Sequence, residues 1–218
     1  MTLISPSDPL TPSEIVMLHG EKFIRKTRFT SVKLPHKDAK VAIDDLIQTM
    51  LSAAILANEQ VGVLKLVAGH KKVLGRQRDT LYVRLVGPIP DWPANSIEAK
   101  MCEQATLLLS DVGREAHGLI YGWLEQHYRN VWYGAFYKVR RGLLERGLLE
   151  TVKIKKFGIF PATDYTLSAS ARELVDQHPI EPTMHLLAEC EGERPQVWKM
   201  LWDHIEHGFV RRGRYHHQ

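Results

Sequence analysis

The longest helical pattern of the chain covers residues 38–58. Apolar residues recur there at spacings of three and four, from Ile43 and Leu46 onward to Ala54, which places them on one face of a helix. We expect Asp38 to act as the N-cap residue. Shorter helical patterns cover about 13–20, 96–109, 112–127 and 131–146. Residues 168–207 predict two or three further amphipathic helices.

Alternation of apolar and polar residues predicts two hairpins. In the first, strands at 63–67 and 80–84 flank a basic turn at 69–79. The second covers 148–167 and has an apolar turn at Phe157–Phe160. Each hairpin follows a helix and a glycine, so we expect the two units to be structural equivalents that pack on one core.

These elements predict a mainly α fold, a compact helical domain decorated with β-hairpins. We divide the chain into an extended and helical lead-in at 1–20, a helical domain at 21–190, and a C-terminal helix with a basic tail at 191–218. The chain has 218 residues, which is enough to bury a substantial core.

Cysteine usage and the lack of apolar segments indicate the cellular compartment of the protein. The two cysteines, Cys102 and Cys190, form neither a disulfide framework nor a CxxC metal motif, which favours a reducing compartment. The start of the chain lacks the pattern of a signal peptide, and no apolar run approaches the length of a membrane span. We therefore expect a cytoplasmic protein.

Charge is distributed unevenly along the chain. The formal net charge of +4 hides three segments, 21–40, 65–84 and 133–160, that each carry a net charge of +5, whereas 161–207 carries −6. If the basic segments share a face, that face attracts a polyanion. Solvated surface without a ligand is the simpler interpretation of the same counts.

Residues 142–167 carry a recognisable order of features. The sequence GLLERGLLE ends a helix, TVKIKK forms a charged strand, FGIFP forms an apolar tip, and ATDYTL returns. This block, together with the helix and strand at 42–66, resembles the Golgi phosphoprotein 3 family, and the resemblance covers about residues 12–190. It implies a helical fold with hairpins, no catalytic activity, and docking to membranes through phosphatidylinositol 4-phosphate and an apolar hairpin tip.

The resemblance also implies which residues contact lipid. They are the lysines of the hairpin, its apolar tip and two arginines of the preceding helix: Lys153, Lys155, Lys156, Phe157, Ile159, Phe160, Arg140 and Arg141. The family's own two arginines align with Tyr133 and Phe136, and Arg140 and Arg141 lie one turn later. The implied protein is a peripheral membrane adaptor whose partners are anionic lipid, client membrane proteins and a second copy of itself.

A winged-helix nucleic-acid-binding protein is the alternative. Helix 131–146 with its basic hairpin then serves as recognition helix and wing, with Lys138, Arg140 and Arg141 on phosphates. The apolar residues at 157–160 argue against this alternative, because a wing tip that meets a duplex is normally polar.

No residue pattern predicts an enzyme or a cofactor. Asp203, His204 and His207 lie within one helical turn, and the two histidines have the spacing of a shared metal ligand pair. A solvated polar face of an amphipathic helix explains them more simply. We therefore expect no catalytic residues, no metal and no cofactor.

Overall fold

The computed structural model describes residues 4–24, 31–35, 37, 39–107, 114–124, 131–156 and 160–214. Of these residues, 55% are helical and 23% lie in strands, and the strands form three small antiparallel sheets. The fold is therefore mixed α/β, and the prediction of a mainly α fold is wrong.

The described helices are α1 (Pro12–Leu18), α2 (Gly20–Phe23), α3 (Ile43–Gln60), α4 (Ile97–Leu107), α5 (Ala116–Trp123), α6 (Val131–Glu145), α7 (Ala169–Gln177), α8 (Glu181–Glu193) and α9 (Pro195–Arg214). The described strands are β1 (Ser31–Lys33), β2 (Lys40–Ala42), β3 (Leu64–Val73), β4 (Arg76–Leu85), β5 (Arg114–Glu115), β6 (Leu149–Lys156) and β7 (Phe160–Leu167). The sheets are the pairs β1–β2 and β6–β7 and the three-stranded order β3–β4–β5.

The excess of strand over the prediction has a physical cause. The polar run 69–79 reads as a turn, but β3 and β4 continue through it as ten residues each and pair up to Val73 and Arg76. Backbone hydrogen bonds across the ladder compensate for the lack of a buried face there. The strands β1, β2 and β5 have only two or three residues, which is too short for a recognisable alternation.

Helix α3 forms the centre of the core and contacts α1, α4, α6, α8 and α9. Every residue from Thr49 to Asn58 is buried, so neighbouring helices approach it from several sides. It begins at Ile43, later than predicted, because Lys40–Ala42 pairs with β1 as a strand. Ala42 is the N-cap residue, and the predicted cap, Asp38, lies outside the described residues.

The predicted order of helix, glycine and hairpin is present twice. Gly62 follows α3 and Gly147 follows α6, with φ angles of 78° and 71°. This left-handed conformation ends each helix and costs glycine little, because glycine has no Cβ. Each helix contributes buried side chains to the same hydrophobic core.

A buried polar network joins the ends of α3 and α6. Asn58 Nδ2 near the end of α3 donates to the Glu98 carbonyl oxygen at 3.1 Å. The Glu98 carboxyl group accepts hydrogen bonds from the backbone nitrogen and hydroxyl of Ser13, both at 2.8 Å. The adjacent Glu14 forms an ion pair with Arg146, which directly follows α6. These links hold the two helix ends, and hence the starts of both hairpins, at the same end of the molecule.

Candidate anion-binding surface

The β6–β7 hairpin presents lysines on one of its faces. Lys153 pairs with Thr163 and Lys155 with Pro161, and all four residues are exposed. Residues two apart in a strand point the same way, so the two lysines lie in one row. Both are exposed cations, and their contact with lipid stays a prediction.

The predicted apolar tip stays a prediction. Lys156 and Phe160 form the last backbone pair of the ladder, and their side chains lie outside the part of the chain that is described. Phe157 and Ile159 lie wholly outside the described residues.

Val152 and Ile154, which point to the opposite face of β6, line a groove with a volume of about 440 Å³. The groove lies between the hairpin, the segment that follows β1, and the first turn of α7. Its lining residues come from all three elements: Lys33, Pro35, Lys37, Val152, Ile154, Asp164, Tyr165, Thr166 and Arg172.

The groove is predominantly basic. Lys33, Lys37 and Arg172 contribute three positive charges, and Asp164 contributes one negative charge. Lys37 forms an ion pair with Glu21 behind the groove. Burial acts to raise the pKa of Glu21, but the hydrogen bond and charge of Lys37 outweigh it and lower that pKa below its usual range. The ion pair therefore persists at neutral pH and holds the Lys37 side chain in position.

The start of α7 explains why Arg172 faces outward. The Ser168 hydroxyl caps the helix by accepting from the Ala171 backbone nitrogen at 3.3 Å. Ala171 and Val175 are buried, so they fix the side of α7 that meets the core. Arg172 lies on the other side, is exposed, and reaches the groove.

Arg140 lies against the aromatic rings of Tyr165 in the hairpin and Tyr137 in α6. Its guanidinium carbon is 3.6 Å from the Tyr165 ring centre and 4.4 Å from that of Tyr137, which are close cation–π distances. Burial lowers the pKa of Arg140, whereas the two tyrosines act to raise it. The arginine braces the hairpin against α6 and keeps its charge near Tyr165, a residue that also lines the groove.

Arg141 has a different environment from Arg140. It is exposed, and its Nε donates to Glu145 Oε1 at 2.9 Å, one turn along α6. Consecutive helical residues point about 100° apart, so these two arginines do not act as a pair on one ligand.

Sequence reasoning identified the hairpin but missed the groove. Lys33 and Lys37 were visible as part of the basic segment 21–40, without any indication that they meet the hairpin. Arg172 lies in the acidic segment 161–207, where the net charge conceals it. Only the tertiary contact between β1, β6–β7 and α7 brings the three together.

The histidines considered as metal ligands contact the protein instead. The Leu81 backbone nitrogen donates to His204 Nε2 at 3.1 Å, and burial lowers the pKa of His204. The His117 ring stacks on that of His204 with centres 5.4 Å apart, and His207 meets His117 edge-on. In the part of the chain that the structure describes, no three His, Cys, Asp or Glu side chains are grouped to hold a metal ion.

Two findings concern the whole chain. Among the described helices, none is long and apolar enough to cross a membrane. Comparison with protein-family models, with curated proteins and with solved structures finds no match for this chain. The similarity to the Golgi phosphoprotein 3 family therefore remains a prediction from residues 42–66 and 142–167.

Proposed function

We propose that the protein is a non-catalytic peripheral membrane protein that binds anionic lipid headgroups through the β6–β7 hairpin and the groove beside it. The observation that carries this proposal is the groove, in which basic side chains of α7 and of β1 with the segment after it meet apolar residues of a hairpin with exposed lysines. The sequence resemblance supports the same function, with a phosphatidylinositol phosphate as the preferred headgroup.

The charge of the surface supports reversible docking. Lys33, Arg172, Lys153 and Lys155 are all exposed. A basic residue near an anionic membrane contributes about 1 kcal/mol. Four of them supply about 4 kcal/mol, which is enough for salt-sensitive association and too little for permanent anchoring.

Apolar side chains in the groove favour a lipid over a free anion. Val152 is 40% exposed, and Ile154 is partly exposed on the same face of β6. Such side chains match the boundary between headgroups and acyl chains, where lysine and arginine stems also pack while their charged ends reach phosphates.

Co-sedimentation with vesicles tests the proposal. Wild-type protein is mixed with phosphatidylcholine vesicles, with and without phosphatidylserine or phosphatidylinositol 4-phosphate. We expect sedimentation only with the anionic vesicles. The double variant Lys153→Glu/Lys155→Glu and the single variant Arg172→Glu should each reduce this binding at least tenfold, because each replaces attraction with repulsion.

The matched control is Lys100→Glu/Lys199→Glu. Lys100 is paired with Glu103 on α4, and Lys199 is exposed near the start of α9, so this variant has the same change in net charge as Lys153→Glu/Lys155→Glu but away from the proposed lipid-binding surface. Equal loss of binding in control and test variants would contradict the proposed site. Binding to duplex DNA or RNA without binding to vesicles would instead support the winged-helix alternative.

A further inference from the structure

Leu74 occupies the turn of the β3–β4 hairpin in an unfavourable way. Val73 pairs with Arg76, so Leu74 and Gly75 form a two-residue loop, with φ angles of 50° and 78°. Such turns favour asparagine, aspartate and glycine, because a larger side chain is strained in the left-handed region. The Leu74 side chain is also 99% exposed, so it gains no burial within the protein. A strained backbone at a residue whose side chain gains no burial points to a function outside the folded chain.

Basic side chains surround this apolar tip. Lys72, Arg76 and Arg78 are exposed within four residues of Leu74. Arg76 and Arg78 share one face of the hairpin, and Lys72 lies on the other, so positive charge is present on both sides. The nearby Asp79 is paired with His70, because the Asp79 carboxylate oxygen lies 2.8 Å from His70 Nδ1.

The base of the hairpin is held firmly. The Thr80 hydroxyl donates to Glu115 Oε1 at 2.6 Å, and Lys71 forms an ion pair with the same carboxylate. These contacts, with the hydrogen bond from Leu81 to His204, fix the strands, with Lys71 three residues before the turn and Thr80 and Leu81 five and six residues after it. Beyond them the hairpin extends about 17 Å at 3.3 Å per residue, and Leu74 lies at its end.

Both hairpins run in the same direction. Leu66 N donates to Glu59 Oε1, and the same carboxylate group accepts from Arg194 at the start of α9. Farther along the hairpin, Leu81 contacts His204, which is ten residues later in α9. The β3–β4 hairpin therefore extends along α9 in the direction of that helix.

Helix α9 in turn leads to the start of α6. Phe209 near the end of α9 stacks on Trp132 at the beginning of α6, with ring centres 3.8 Å apart. The β6–β7 hairpin runs back along α6 toward that same end. Just before the hairpin, the Leu148 backbone nitrogen donates to the Leu143 carbonyl oxygen, whereas Tyr165, farther along the hairpin, contacts Arg140, which is earlier in α6. The described parts of both hairpins thus extend toward the same end of the molecule.

We propose that the β3–β4 hairpin is a second membrane-docking element, which places Leu74 among the lipids of an anionic bilayer while Lys72, Arg76 and Arg78 contact phosphates. Charge complementarity supports this occupant. Leucine offers neither a stacking surface nor a hydrogen bond to a nucleic acid base, which favours lipid over nucleic acid. The inference rests on the proposed function, because it names a second contact with the same membrane.

A fluorophore at the turn tests the insertion directly. Leu74→Cys is labelled with an environment-sensitive dye, since the native Cys102 and Cys190 are buried. Vesicles contain phosphatidylcholine and phosphatidylserine in a two-to-one ratio. We expect a blue shift on binding and quenching by lipids that carry a nitroxide in the acyl chain. Ile89→Cys is the control, because Ile89 is exposed near Gly87 and Gly62, at the opposite end of the molecule.

Leu74→Asn separates function from folding. Asparagine suits the turn, so we expect an unchanged or higher melting temperature, together with vesicle binding reduced about tenfold because an inserted leucine is lost. Ile89→Asn should leave vesicle binding unchanged.

The outcomes distinguish this inference from the proposed function. If wild-type protein binds vesicles but the dye at position 74 does not respond, or Leu74→Asn binds as tightly as wild type, the second docking element is refuted and the proposed function stands. If wild-type protein binds no anionic vesicle, both fail. A dye response to duplex RNA or DNA alone would also refute the inference and identify a nucleic acid partner.

Discussion

The buried Glu98 should make the stability of this protein depend on pH. Its carboxyl group is fully buried between α1 and α4 and accepts two hydrogen bonds from Ser13. Burial raises its pKa from 4.5 to about 7, the nearby charge of Glu14 adds to the rise, and the hydrogen bonds from Ser13 oppose it.

The sign follows from the raised pKa. The folded protein binds the Glu98 proton more tightly than the unfolded chain, so this group contributes its full stability below pH 4.5. The contribution falls as the pH rises toward 7 and is absent above it. The difference between 4.5 and about 7 corresponds to about 3 kcal/mol of unfolding free energy.

Urea denaturation of wild type and Glu98→Gln between pH 4.5 and 8 measures this effect. Glutamine keeps an acceptor for Ser13 and cannot ionise, so the stability of the variant relative to wild type should rise by about 3 kcal/mol across this range. Glu103→Gln is the control, because Glu103 is exposed on the same helix. If the difference in unfolding free energy between Glu98→Gln and wild type is constant with pH, the pKa of Glu98 is not raised in the folded protein.

Three other substitutions have expected outcomes in thermal or urea unfolding. Gly87→Ala should destabilise the fold by about 1–3 kcal/mol, because a Cβ there overlaps the carbonyl oxygen of Gly62. A Gly87→Ala variant as stable as wild type would contradict this contact. Gly118→Ala, in α5 with open space around it, should stabilise by about 1 kcal/mol through helix propensity, and a loss of stability would show that the site is crowded. Leu74→Asn should stabilise by about 1 kcal/mol by relieving the strained turn, and a loss of stability would show that the leucine packs on the protein.

Local patterns accounted for the helices of the core. The apolar stripe of α3 and the glycines after α3 and α6 were sufficient, because helical period and left-handed glycines are properties of neighbouring residues. The same reasoning failed at Asp38 and at residues 69–79. Strand pairing decided the structure at Lys40–Ala42, just before α3, and at residues 69–79, and such pairing is invisible in a polar sequence.

The candidate surface shows the same division. The resemblance pointed to Lys153 and Lys155 as lipid-contacting residues, and the structure places both in one exposed row of β6. Arg172 was missed because its role depends on a groove formed by segments more than one hundred residues apart in the chain. Arg140 and Arg141 are neighbours in the sequence but have different surroundings, because one stacks on Tyr165 and the other pairs with Glu145.

Hydrogen exchange with and without anionic vesicles tests directly whether the β6–β7 hairpin and the groove beside it bind anionic lipid. Peptides that cover residues 31–37 and 149–172 contain the groove and the lysine row, and peptides of α4 and α8 serve as internal references. The account predicts slower exchange in the groove and hairpin peptides when phosphatidylserine vesicles are added, and no change with phosphatidylcholine alone. Unchanged exchange in these peptides while the protein is vesicle-bound would contradict it.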